Sequence, residues 1–238
     1  MPTDKAPACD PGGTTPVVDD EPPTQDVLKR IDTEGLSVVD REGNSHPFKS
    51  LYAGPDAKPR TLFIFTRHAF CPPCQEYLKT LFTTVTPAKL PQDTTIIVIG
   101  CCNAEYIDTY AKLTHSPFPV FADPTRRIHD ALGMARAWLD GSTPRGYTHF
   151  ARVLAKSLYQ IFTLSPDYRR LRAAAKDPAE TPHGDPRQQG GEFLFENKRG
   201  GDGEGDGEGV VVSWCHRMKH SEDHTPHGEL AKVLGVKE

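Results

Sequence analysis

The stretch at residues 61–76, TLFIFTRHAFCPPCQE, constrains the fold of this chain more than any other. It opens on Leu62, Phe63, Ile64 and Phe65, an apolar run of the length of a buried strand. A polar turn with Arg67 and His68 follows, and then Cys71, Pro72, Pro73 and Cys74. Beyond it the period changes, with Leu78, Leu81, Phe82 and Val85 at the spacing of a helix over 74–86. Two cysteines therefore stand where a strand hands over to a helix N-terminus. The free N–H groups and dipole there favour an anion, which lowers the pKa of a thiol. Proline is tolerated in a first helical turn, where its missing donor costs little.

The remaining pattern builds a sheet around that strand. TTIIVIG at 94–100 is a second continuous apolar run of the parallel, doubly buried kind. Strand, helix and strand in so short a span make a βαβ unit with a right-handed crossover. Upstream, 36–39 reads as a strand ending in a turn at 40–44, with Phe48 and Leu51 packing beneath the sheet. Downstream come a helix from Asn103 or Ala104, a strand at 118–121, and a helix over 126–132 capped by Thr125 and stopped by Gly133. Phe150, Val153, Leu154, Ser157, Leu158, Ile161 and Phe162 trace one helical stripe, and a basic helical piece follows at 168–176. EFLFE at 192–196 and VVVSW at 210–214 read as paired strands around a flexible Asp-Gly-Glu-Gly loop at 200–209. The chain thus reads as an α/β domain over 26–238. Residues 1–25, rich in Pro, Asp, Thr and Gly, read as a disordered tail.

Several function classes fall away. The net charge is −4 and no nucleic-acid module is recognisable, so nucleic acid is not an expected partner. No apolar run approaches the roughly 18–20 residues of a membrane helix. The N-terminal residues lack a secretory pattern, which points to the cytoplasm, where thiols stay reduced. The six cysteines show no disulfide-framework spacing. A nucleophile elbow, a P-loop and a dinucleotide fingerprint are all missing from strand ends. No cofactor is implied, and the oligomeric state is open.

Chemistry concentrates on the dithiol. Cys71, at the helix start, is expected to be the more exposed and nucleophilic thiol; Cys74, one turn in, is expected to be buried and to resolve the intermediate. Arg67 and His68 would add positive charge that stabilises the thiolate. A structural zinc site would need a second Cys/His pair, and none lies close in sequence. Cys101 and Cys102 end a buried strand, either as core cysteines or with Cys102 as a third redox thiol. In the tail WCHRMKHSEDHTPH, His216, His220 and His224 would share one face if helical and form a rival metal site, although Ser221 and Pro226 break such a helix. Alternatively His216 or Arg217 folds back on Cys71 as proton donor or anion clamp.

These residues also carry a resemblance. Arg67-His68 with Cys71-x-x-Cys74-Gln75-Glu76-Tyr77-Leu78 resembles the active-site segment of the fungal AhpC/TSA antioxidant-enzyme family, akin to the peroxiredoxin-like 2 (selenoprotein U-like) proteins. Ile99-Gly100-Cys101, FPVFADP at 118–124, Leu132-Gly133-Met134, GGEFLFE at 190–196 and WCHRM at 214–218 with Asp223-His224 match in order. The resemblance spans about residues 25–236 and implies an α/β, thioredoxin-like three-layer fold with a central mixed sheet, an inserted helical segment and a C-terminal β-hairpin. The peroxiredoxin pattern Pro-x-x-x-Thr/Ser-x-x-Cys is missing, since His68 and Ile64 stand at its Thr and Pro positions. The expectation is a thiol-disulfide oxidoreductase or peroxiredoxin-like antioxidant protein, re-reduced by a thioredoxin or glutathione system. The alternative is a tailoring enzyme of a fungal secondary-metabolite pathway, doing non-redox chemistry on a small organic substrate.

Overall fold

The computed structural model describes residues 19–136, 146–164, 182–198 and 209–236. At its centre is the expected apolar strand, β3 (Arg60–Thr66), buried at every position after the first. It runs parallel to β4 (Thr94–Gly100), with Leu62 opposite Ile96 and Ile64 opposite Val98. On its other side β3 pairs antiparallel with β6 (Gly191–Lys198), which pairs antiparallel with β7 (Gly209–Arg217). With β1 (Ser37–Val39), β2 (Ser45–Pro47) and β5 (Val120–Ala122) these make a seven-stranded sheet ordered β2-β1-β5-β4-β3-β6-β7. A parallel βαβ unit with an antiparallel hairpin beside its first strand is the expected thioredoxin-like mixed sheet.

Alternation along β3 sorts the two helical layers. Leu62 and Ile64 join one core with Leu78 of α3 (Pro72–Thr84), Tyr110 of α4 (Ile107–Thr114), Ile161 of α6 (Gly146–Leu164) and Leu230 of α7 (His227–Leu234). Phe63 and Phe65 face the other way, onto Ile31 of α1 (Gln25–Thr33), Tyr52 of α2 (Ser50–Ala53) and Ile128 of α5 (Arg127–Ala131). The same parity crosses the hairpin. Leu194 and Trp214 sit with the α3 layer, while Phe193, Phe195 and Cys215 sit with the α1 layer. A register shift after Leu194 absorbs the extra residue Ser213, so both strands keep their faces.

Four local expectations change. α3 starts at Pro72 rather than 74, because both prolines occupy its first positions and Cys71 is the N-cap. α5 is held chiefly by Asp123, whose Oδ2 accepts the N–H groups of Ile128 (3.0 Å) and His129 (3.2 Å), with a longer bond of 3.4 Å from Arg127 N to the Thr125 hydroxyl. The α6 stripe does not bury as one face: Ile161 is buried, but Leu158 and Phe162 are exposed. Beside Ile161, polar contacts also point inward, with Ser157 Oγ donating to Phe70 O (2.8 Å) and Gln160 exchanging amide hydrogen bonds with Gln75 (2.9 and 3.0 Å). At the N-terminal tail, the described residues 19–21 are tied down. Asp20 Oδ1 accepts from Arg217 N (2.9 Å), and Arg217 Nη1 donates to the carbonyls of Asp19 (2.9 Å) and Glu21 (2.8 Å). This ties residues 19–21 to the C-terminal end of β7, the edge strand of the sheet. Residues 1–18 of the tail, the basic piece at 168–176, the loop at 200–208 and the side chains of Phe150, Val153 and Leu154 lie outside the described residues. Among the described residues no helix is long and apolar enough to cross a membrane.

Candidate active site

β3 delivers the dithiol. Its C-terminal end passes through Arg67 and His68 to Cys71, whose backbone caps α3, and Gln75 N bonds back to Cys71 O at 3.1 Å. One helical turn brings Cys74 onto the same side, and its thiol donates to Cys71 Sγ at 3.1 Å. The Arg67 guanidinium donates to the same sulfur from Nη1 at 3.2 Å. Arg67 is itself 2 % exposed and fixed by Gln188 O (3.1 Å, from Nε) and Pro186 O (2.6 Å, from Nη2). A forked, permanently charged donor is thus clamped onto one thiol by a loop more than 100 residues away in sequence.

The charges follow from this geometry. Burial works against ionisation of Cys71, but the Cys74 thiol and N–H, the Arg67 charge and His224 outweigh it and take the group down to about 5. For Cys74, burial and then the neighbouring Cys71 push the other way, holding it well above the ordinary thiol value. The result is one thiolate and one thiol, the division of labour that attack and resolution require. The expectation that Cys71 is the more exposed thiol is corrected, because both cysteines have 0 % exposure. The sulfur is activated by an internal cation rather than by solvent contact.

The other expected residues divide. His68 stands next to the site, but burial and then the Arg67 charge push its pKa well below the usual value, so it is a neutral imidazole and adds no positive charge. Cys101 and Cys102 are both buried. Cys101 Sγ contacts Arg67 O at 3.3 Å, and burial drives its pKa up. Cys102 lies in the α3 core, where burial takes it to about 12. Both are thiols, not thiolates. The tail is strand and turn rather than helix, so His216, His220 and His224 share no helical face. His216 spans Asp20 Oδ2 (3.2 Å) and Asp223 O (3.1 Å). Arg217 does not fold back on Cys71. Its odd position on β7 aims it at the α1 layer, where Nε donates to Leu132 O (2.7 Å) and the guanidinium lies 5.3 Å from the Phe193 ring centroid. His224 does reach the dithiol side, stacked on Tyr77 of α3 at 4.2 Å. A groove of about 520 Å³ runs along the first turns of α3, with Pro72, Pro73, Tyr77, Arg152, His224 and His227 among its walls. Among the described residues no group of three or more His, Cys, Asp or Glu is arranged to hold a metal ion.

Sequence reasoning missed three contributors. The loop at 182–190 closes over the site: His183 O accepts from Ala69 N (2.8 Å), and Pro182 O accepts from Asn103 N (2.8 Å). A side chain at Gly184 would meet Cys101 Sγ at 2.8 Å and His68 Cα at 3.1 Å, so the loop approaches where only glycine fits. Fully buried Asp123 and His129 pair at 2.9 Å, and the other ring nitrogen of His129 lies 3.3 Å from Thr66 O, pinning the end of β3. Burial opposes the Asp123 charge, but hydrogen bonds from His129 and Thr125 hold its pKa below the ordinary value. Glu192, wholly buried on β6, is the third. An acidic residue inside an apolar strand was the available signal for it.

The chain is 28% identical over 221 residues to peroxiredoxin-like 2C of Takifugu rubripes, covering 89% of this chain and 84% of that protein. It is 28% identical over 207 residues to peroxiredoxin-like 2C of Homo sapiens, covering 84% and 78%. Among solved structures, peroxiredoxin Q of Xanthomonas campestris aligns over 92% of this chain and 96% of its own, with 11% identity and a TM-score of 0.46. The family described as AhpC/TSA antioxidant enzyme matches residues 82–220, which begin just after the dithiol and include the clamping loop, β6 and β7. With more than half its length matched, the chain belongs to the AhpC/TSA antioxidant enzyme family.

Proposed function

We propose that this protein is a thiol-disulfide oxidoreductase of peroxiredoxin-like type, with Cys71 as nucleophile and Cys74 as resolving thiol. The observation that carries the reading is the Cys71 sulfur, held between the Arg67 guanidinium at 3.2 Å and the Cys74 thiol at 3.1 Å. In the first step the Cys71 thiolate attacks one sulfur of a substrate disulfide. A mixed disulfide forms, the substrate S–S bond breaks, and the released thiolate takes a proton. Cys74 then attacks Cys71 Sγ and loses its own proton to the second leaving group. The substrate is reduced to two thiols and the dithiol is oxidised to a disulfide. Its sulfurs need to close by only about 1 Å to reach bonding distance of about 2.05 Å. A peroxide substrate enters by the same attack, with Cys71 becoming a sulfenic acid before Cys74 condenses with it and releases water. The neutral imidazole of His68 stands where a peroxiredoxin keeps its peroxide-binding hydroxyl, which favours disulfides over peroxides. A cellular thiol system, of the thioredoxin or glutathione kind, returns the pair to the dithiol.

A trapping experiment tests this. Cys74→Ser should accumulate a mixed disulfide between Cys71 and the substrate, detected by intact mass, while Cys71→Ser should form none. Peptide mapping of the wild type after mild peroxide treatment should give a Cys71–Cys74 crosslink. A Cys71→Ser protein that reduces disulfides or peroxide as the wild type does would sink the assignment.

A further inference from the structure

β6 carries an acid where its neighbours are apolar. Glu192 pairs across the sheet with Ile64 of β3, and by parity faces the dithiol layer with Leu194. It is 0 % exposed. One carboxylate oxygen accepts from the Thr225 hydroxyl at 3.1 Å. The other has no hydrogen bond; it lies 3.5 Å from Nδ1 of His224, a side chain that is itself 6 % exposed and has no hydrogen bond at either ring nitrogen. The His224 ring lies flat on Tyr77, at 4.2 Å and 8°, one turn beyond Cys74 on α3. It lines the same groove as Pro72 and Pro73, which follow Cys71 directly.

A buried acid and imidazole kept only for stability would be hydrogen-bonded, because leaving such atoms bare costs roughly 1–3 kcal/mol each. Three polar atoms without a hydrogen bond, on a pair whose imidazole lines the groove along α3 and is felt by the Cys71 sulfur, instead describe a group waiting for a partner that arrives with the substrate. We propose that His224, positioned by Glu192, is the general acid of the dithiol reaction, protonating the group that Cys71 displaces. The proposal rests on the functional reading above. As Cys71 Sγ bonds to the substrate, the substrate S–S bond breaks and its electron pair leaves on the departing sulfur. The His224 N–H gives its proton to that sulfur, and the neutral imidazole regains a proton from solvent through the groove. Ionisable groups around the pair include Tyr77 from α3, whose hydroxyl interacts with the Glu192 carboxylate, His216 from β7 and His227 from α7, with Glu76, Arg152, Lys156 and Glu222 along the same groove.

The leaving group provides the test. Single-turnover rates are measured with two disulfides, one releasing nitrothiobenzoate, which needs no proton, and one releasing an alkyl thiol, which does. The ratio of the two rates cancels any change in the fraction of Cys71 present as thiolate. His224→Asn should lower the alkyl-disulfide rate about 100-fold relative to the nitrothiobenzoate rate. Glu192→Gln, which keeps the shape and the Thr225 contact, should move the ratio the same way by a smaller factor. An unchanged ratio in both variants, whether the two rates fall together or not at all, overturns the proposal. A wild type that reacts with neither disulfide refutes the dithiol function itself, which keeps the two failures distinct.

Discussion

Replacing Arg67 by Met will move the redox chemistry of the dithiol more than any change outside the cysteines themselves. The guanidinium supplies a fixed charge and a direct hydrogen bond to Cys71 Sγ, and an opposite charge at that range lowers a pKa by about 1–3 units. The sign is settled by which form reacts. The thiolate is the nucleophile, so a lower Cys71 pKa leaves more of it at a given acidity. Loss of Arg67 raises that pKa, and alkylation of Cys71 at about pH 5.5 should slow about tenfold while the rate near pH 8 stays close to wild type. The same thiolate belongs to the reduced state, so stabilising it makes the disulfide more oxidising. The variant's reduction potential should fall by about 40 mV, at about 30 mV per tenfold change in equilibrium constant. The fold weakens as well. Pro186 O and Gln188 O lose their donor, and urea unfolding under reducing conditions should show a loss of about 2–4 kcal/mol. Superimposable alkylation profiles and equal potentials would show that the contact does not set the chemistry.

Among the described glycines, Gly190→Ala should be the most disruptive. A Cβ there would overlap the carbonyl oxygen of Phe65 and lie 3.0 Å from Met218 Sδ. The obstacle is backbone of the central strand, which cannot rotate away as a side chain can. Relief requires β6 to part from β3, at a cost of at least about 3 kcal/mol in urea unfolding. Phe65 stands two residues before Arg67, so the displacement should also slow Cys71 alkylation. Gly228→Ala serves as the counterpart. Its added carbon meets nothing within 4 Å, and helix propensity favours it by up to about 1 kcal/mol. Equal urea midpoints for Gly190→Ala and wild type would mean that the close approach is absent in solution.

What was legible in the sequence was whatever local chemistry decides. The runs at 61–66 and 94–100 are apolar on both faces because both faces are covered, and the prolines after Cys71 tolerate only a first helical turn. The hairpin at 191–217 announced itself by two apolar runs either side of a glycine-rich break. Contacts over long sequence distances were not legible. Nothing near Arg67 shows that Pro186 and Gln188 will grip it, nor that this grip buries the sulfur it activates. His68 looked like a second cation because its sequence neighbourhood is polar, and burial beside Arg67 reverses that. For Arg217 the sequence leaves a place at the dithiol open as an alternative, because distance along the chain says nothing of strand parity. The register of β7 against β6 turns it to the opposite layer. Thr125 looked like the cap of α5, whereas Asp123, three residues before the helix N-cap, reaches further into its first turn.

The complete enclosure of both sulfurs has a kinetic consequence. An atom without accessible surface meets a reagent only from a minority conformer, in which the covering segments have moved aside. Oxidation is then two events in series, an opening and a collision. At low reagent concentration the rate measures how often the minority conformer is populated. At high concentration it flattens at a first-order ceiling equal to the opening rate, shared by every reagent that uses the same door. Stopped-flow traces that stay linear in reagent to saturating concentrations would place the door wide open. A common plateau for small and bulky disulfides would make motion of the protein, rather than the strength of the nucleophile, the limit on how fast this dithiol can act.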